Sequence, residues 1–237
     1  MNPPPPKPPD PSAEDLSQLA HRRVIGVLGL FLPVAVWLFA AWRPTDDLPR
    51  WSVLSSVSVY YYTGAVALFV GVLFALSLFL LTYRGYADTS ADRIVGAFGG
   101  LSALGVALFP TGAPNGLKSP PWWSSALGTV HYVAAVCLFI SFILFSIWLF
   151  RKSSIPLRRD RPPEKRRRDD ICLVCGLVMI GCILWAGSSL VTHAPIFLPE
   201  AIAIEAFAIS WLLKGDAPGA VMRAASRLAR RVSTAGD

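Results

Sequence analysis

Two histidines and two glutamates stand out in this sequence as side chains able to do chemistry. His131, His193 and Glu200 offer two imidazoles and a carboxylate, a set that a catalytic zinc ion accepts when a fourth position stays open. Their spacing does not compel them to converge. No His-x-x-x-His pair puts two ligands on one helical face, and no Gly-x-Ser-x-Gly elbow supplies a nucleophile. Glu200 and Glu205 are five residues apart and, at ~100° per residue, point about 140° away from each other, so they do not share a proton directly. Either alone suits a proton-relay or substrate group of a transporter. The plainer role is packing, with Glu200 hydrogen-bonded to His131 or a serine hydroxyl and Glu205 protonated between helices. Cys172, Cys175 and Cys182 fall within about 80° of one helical face and read as small packing residues, with Cys172 at the interface an alternative site for palmitoylation. The sequence predicts no catalytic residue, no metal and no cofactor.

The elements that must position these groups are apolar spans. Of the 237 residues 54% are hydrophobic and only 16% charged, against about 25% charged in a soluble domain, which excludes an ordinary water-soluble enzyme. Four cysteines, all inside apolar runs, exclude a disulfide scaffold. Six uncharged stretches approach the ~20 residues that a helix needs to cross a bilayer: residues 24–42, 57–82, 94–109, 126–150, 171–192 and 196–213. Continuous apolarity, without the alternation of a barrel, makes each stretch helical. The predicted fold is therefore all-α, an integral membrane bundle of six transmembrane helices.

Orientation follows from charge. With the N-terminus inside, nineteen of the 22 Lys and Arg lie in cytoplasmic segments and only Arg43, Arg50 and Lys118 lie outside. Both termini are predicted to be cytoplasmic, in a plasma membrane. Tyr60, Tyr61, Tyr62, Trp122 and Trp123 then form an outer aromatic belt, and His131, His193, Glu200, Thr111, Ser58 and Tyr61 share the outer half of the bundle as a polar, outward-facing pocket. The acidic, proline-rich start does not fit a signal peptide, so the first span is predicted to remain as an anchor.

Three segments lie outside the bilayer. Residues 1–23 are an arm: seven prolines within the first eleven residues predict polyproline II, either a plain tail or a ligand for a protein partner, and Ser12 with Asp15 resembles a capping box leading into the first span. Residues 151–168 hold nine Lys and Arg and read as a flexible basic loop, in which Arg166, Arg167 and Arg168 are candidates for acidic lipid head groups; topogenic charge alone also accounts for it. Residues 214–237 form a tail with Arg223, Arg227, Arg230 and Arg231 on one side and Val221, Ala225, Leu228 and Val232 on the other, a basic amphipathic helix suited to a membrane surface. Nothing else supports nucleic acid as a partner. Small-residue stripes at Gly64, Ala67, Gly71 and Ala75, and at Gly96 and Gly100, predict close helix contacts, and Pro33 predicts a kink in the first span.

Several short motifs carry a resemblance. Tyr60-Tyr61-Tyr62-Thr63, Leu81-Thr82-Tyr83-Arg84-Gly85-Tyr86, Gly105-Val106-Ala107-Leu108-Phe109-Pro110-Thr111, His131, and Glu200 followed by Phe207-Ala208-Ile209-Ser210-Trp211-Leu212-Leu213-Lys214-Gly215 resemble a family of uncharacterised bacterial multi-pass membrane proteins. The resemblance spans roughly residues 58–215 and implies a bacterial inner-membrane location, but no activity. Within it Glu205 departs from the pattern, which leaves His131 and Glu200 as the better functional residues. The layout is also similar to the Frag1/DRAM/Sfk1 type. Three function classes follow. One is a non-enzymatic lipid- or partner-binding component, another a transporter or channel using Glu200 and His131; a metal-dependent hydrolase is the third.

Overall fold

Apolar runs without β-alternation fold as helices throughout the computed structural model of the chain, which describes residues 13–44, 50–85, 90–114, 117–217 and 219. Six α-helices follow one another: α1 (Ala13–Trp42), α2 (Val66–Leu81), α3 (Ser90–Leu108), α4 (Ser125–Ile147), α5 (Pro163–Thr192) and α6 (Phe197–Lys214). No strand occurs among the described residues. The Ser124 hydroxyl caps α4 by accepting from the Leu127 amide at 3.4 Å, and Pro163, with no amide proton to lose, opens α5 at its first turn. His193 closes α5 in the left-handed conformation.

α1, α3, α4 with its following turn, and α5 are long and apolar enough to cross a bilayer, the pattern of a membrane protein. α2 is shorter, 16 residues or about 24 Å, and α6 carries Glu200, Glu205 and Lys214 within its 18 residues. Each helix packs against its neighbours in sequence, and α6 closes the ring onto α1. The core fills that ring. Phe142 and Phe207 stack with centroids 3.5 Å apart, and Tyr83, Phe145, Phe150 and Trp211 meet edge to face beside them. Trp211, Phe145 and Phe207 are fully buried.

Three expectations need correction. The stretch expected to be one span over 57–82 breaks: Ser58–Tyr62 is a 3-10 turn, Thr63 is extended, and the helix begins at Val66. The Thr63 hydroxyl, which donates to the Tyr60 carbonyl at 2.8 Å and accepts from the Ala65 amide, provides local bonds that compete with a continuous helix. Of the two small-residue stripes the second makes close contact at both its glycines, the first only at Gly64, where a Cβ would lie 2.5 Å from the Arg43 carbonyl. A Cβ at Gly100 would lie 2.9 Å from the Ser77 carbonyl and one at Gly96 2.8 Å from that of Leu80, whereas Gly71 faces open space. Finally, the basic stretch 151–168 is not a loose loop, since α5 begins within it and most of its charges are tied down. Asp169, 2% exposed, accepts from Arg161 at 2.9 Å and from Lys165; Arg158 pairs with Asp170, Lys152 with Asp92 and Arg168 with Asp216.

Candidate functional site

The polar residues gather around the short 3-10 turn at one end of the bundle. Val57, just before that turn, and Ser58, its first residue, bind two different helices. The Val57 amide donates to the Glu200 carboxylate of α6 at 2.6 Å, and the Ser58 hydroxyl lies 3.0 Å from His131 Nε2 of α4. His131 Nδ1 lies 2.6 Å from the Phe109 carbonyl. A carbonyl only accepts, so Nδ1 carries the proton and Nε2 accepts from Ser58, which fits a neutral imidazole. His131 is 2% exposed. It ties the end of α3, the start of α4 and the turn into one joint.

The same segment holds α6 from above. The Ser55 carbonyl accepts from the Ile196 and Phe197 amides at 2.6 and 2.9 Å, satisfying donors that a helix start leaves free. The Tyr60 ring packs on Phe197, and Trp51 packs on Trp37 of α1. Thr111 anchors the other side: its hydroxyl is 2.8 Å from the Tyr132 hydroxyl, and its carbonyl accepts from the Tyr62 hydroxyl.

Of the predicted pocket residues, the structure brings Ser58, His131, Glu200 and Thr111 around one joint. His131 and Glu200 meet neighbouring residues of the turn rather than each other, so the expected carboxylate–imidazole or carboxylate–serine bond gives way to a backbone one. Tyr61 contributes only a ring edge to Tyr62, and Tyr62 is the tyrosine that bonds. His193 is exposed at the end of α5 and stands apart. Among the described residues no three His, Cys, Asp or Glu side chains come together to hold a metal ion. Sequence reasoning placed Tyr62 in the aromatic belt without its bond to Thr111, and it missed Tyr132, whose only signal was adjacency to His131. It also missed His21, whose Nε2 lies 2.7 Å from the Phe79 carbonyl and joins α1 to α2.

Arg166 is half-buried and Arg167 exposed, while Arg168 is engaged with Asp216. The polyproline arm, the Ser12 capping box and Arg223, Arg227 and Arg230 lie outside the described residues.

Glu200 lines two cavities. One, about 50 Å³, lies on the axis of the ring with Ser58, Leu73, Phe142 and Phe207. The other, about 300 Å³, opens between α4, α5 and α6 and is lined by Tyr132, Phe139, Ala186, Leu190 and Pro199. Apart from the carboxylate, Ser189 and the Tyr132 hydroxyl, its side chains are apolar. Such a space takes an apolar body and presents one acidic group to it.

Residues 51–214 match the model of the family described as "Protein of unknown function (DUF998)". No curated protein and no solved structure matches the chain.

Proposed function

The chain belongs to the DUF998 family, a family of unknown function, and from that premise we propose a non-enzymatic membrane component that binds one lipid-like molecule beside Glu200. In this reading all six helices span a bacterial inner membrane, both termini are cytoplasmic, and the joint at Ser58, His131 and Glu200 faces outward. The observation that carries it is the placement of Glu200, in the wall of a 300 Å³ apolar cavity between α4, α5 and α6. The chain of a lipid fills the apolar part, and a hydroxyl or amine of its head group donates to the carboxylate. Three domains accompany this: the arm at 1–23, the spans at 24–213 and the basic tail at 214–237.

The transporter alternative needs a route along the axis, and the stacked Phe142 and Phe207 with the Trp211 cluster stand across it. The test is native mass spectrometry of the protein released from its membrane. Wild type is expected to keep one lipid equivalent, Ala186→Trp to lose it and Glu200→Gln to keep less. A wild type without an adduct, or equal retention in all three, overturns the proposal.

A further inference from the structure

A third cavity, which shares neither Glu200 nor any other lining residue with the lateral one, lies in the groove between α1, α5 and α6. It measures about 540 Å³ and is walled by Pro33 and Trp37 of α1, Val178 of α5, and Ile202 and Ile209 of α6. Into this apolar wall α6 sets one charged group, Glu205. The residue is half-buried, eight positions or about 12 Å into its helix, at the depth of Pro33 rather than near either end of the bundle. Among the described residues no hydrogen bond or ion pair reaches its carboxylate. The cation on its own helix, Lys214, is nine residues on, about 13 Å along the axis. The sequence placed Glu205 protonated between helices; the structure places it on a groove.

An apolar groove by itself would be filled by a lipid chain. A carboxylate on that groove changes what fits best, because a neutral chain leaves the acid unpaired while a positive centre pairs with it. Two aromatic side chains on the same wall, Trp37 and Phe197, also favour a cation over a neutral body. The Trp37 indole is held in place by donating to the Trp51 carbonyl at 3.4 Å and by packing on the Trp51 ring, centroids 5.6 Å apart. The volume falls in the range of small-molecule sites, about 300–1,000 Å³.

We propose that the α1/α5/α6 groove binds a lipophilic monocation, an apolar body with a single positive centre, through pairing with Glu205. The experiment uses the full chain in detergent micelles, radiolabelled tetraphenylphosphonium as the probe, and size-exclusion profiles to confirm that each variant is folded. Saturable binding is expected in wild type and in Val133→Ala, a change on the exposed side of α4. Glu205→Gln, which keeps the shape and removes the charge, is expected to weaken binding at least tenfold. Ile202→Trp, which fills the groove and leaves the carboxylate, is expected to do the same. Neutral triphenylphosphine oxide is expected not to compete. Equal binding in wild type and Glu205→Gln, full competition by the neutral compound, or no saturable binding in wild type overturns the proposal. None of these results bears on the lipid adduct at Glu200, which rests on other residues.

Discussion

Removing His131 tests whether the joint between α3, α4 and the Ser58 turn is a real stabilising element. The imidazole makes two bonds, to the Phe109 carbonyl at 2.6 Å and to Ser58 at 3.0 Å. Side-chain hydrogen bonds between helices in membrane proteins contribute about 0.6 kcal/mol on average, so the pair accounts for about 1.2 kcal/mol. His131→Ala also strands the Phe109 carbonyl, which costs a further ~1–2 kcal/mol where water is excluded. The expected loss is about 2–3 kcal/mol, roughly 30- to 150-fold in the unfolding equilibrium. Ser58→Ala removes only the weaker arm and should cost about 0.6 kcal/mol, near threefold. The double variant should then be scarcely worse than His131→Ala, because the bond to Ser58 is already gone, and the coupling energy should be about 0.6 kcal/mol. Reversible unfolding in mixed micelles with increasing dodecyl sulfate, followed by circular dichroism, reads all four species. Should His131→Ala prove as mild as Val133→Ala on the exposed face of α4, or should the two changes simply add, the joint is not what the geometry says it is.

The remaining predictions concern other parts of the bundle. Gly100→Val sets a branched side chain against the Ser77 carbonyl, 2.9 Å from the new Cβ, and should destabilise by at least 1–3 kcal/mol, while Gly71→Val, facing open space, should change the same unfolding curve little. Asp169→Asn removes the negative charge shared by Arg161 and Lys165 and turns one of its two acceptor oxygens into a donor, which should loosen the 151–168 segment, read as faster trypsin cleavage there with the helical signal retained. Alkaline phosphatase fused after Asp237 should be inactive, as on a cytoplasmic end, and a green fluorescent reporter at the same place should fluoresce; the opposite pair of results would reverse the proposed topology. Replacing Arg166 and Arg167 with Gln should lower recovery of the protein with anionic vesicles relative to neutral ones, and equal recovery would argue that their charge serves topology alone.

How much of this was legible from sequence depended on the distance over which each feature acts. The helices follow from apolar runs, a local property, and α4 and α6 begin close to where the hydropathy changes, whereas α5 begins at Pro163, inside the basic stretch and well before the apolar run at 171. The break before α2 was hidden because Val57–Tyr62 is as apolar and aromatic as the helix it precedes; what stops it is a side-chain bond from Thr63 to Tyr60. His131 and Glu200 were identifiable as polar groups in apolar surroundings, which are expensive unless partnered. Their partners were not identifiable, since the bonds to Ser58 and Val57 join residues 73 and 143 positions apart and nothing local specifies them. The ordering of the 151–168 segment escaped for the same reason. Nine like charges suggest repulsion and mobility, but Asp92 and Asp216, distant in sequence, and Asp169 and Asp170, nearer by, pair with five of them.

The aromatic packing also bears on how a molecule reaches Glu200. An axial route from the Trp211 end would have to open the Tyr83, Phe145, Phe150 and Trp211 cluster and part Phe142 from Phe207, stacked at 3.5 Å, before it reached the 50 Å³ cavity that Glu200 lines, itself room for a water or two. Large-to-small changes at such rings cost about 3–5 kcal/mol each, so separating them transiently is expensive. The lateral route crosses no such barrier, because the 300 Å³ cavity already opens between α4, α5 and α6 beside half-exposed and exposed side chains such as Ala186 and Leu190. A ligand that dissolves in the membrane can therefore reach the carboxylate by moving sideways, without passing the rings. Proteoliposomes of wild type should accordingly carry no proton or cation flux under an imposed potential, and Phe207→Ala, which removes one half of the stack, should be the variant that leaks. Flux in the wild type equal to that in Phe207→Ala would mean that the ring stack is no barrier and that the axis, not the side, is the way in.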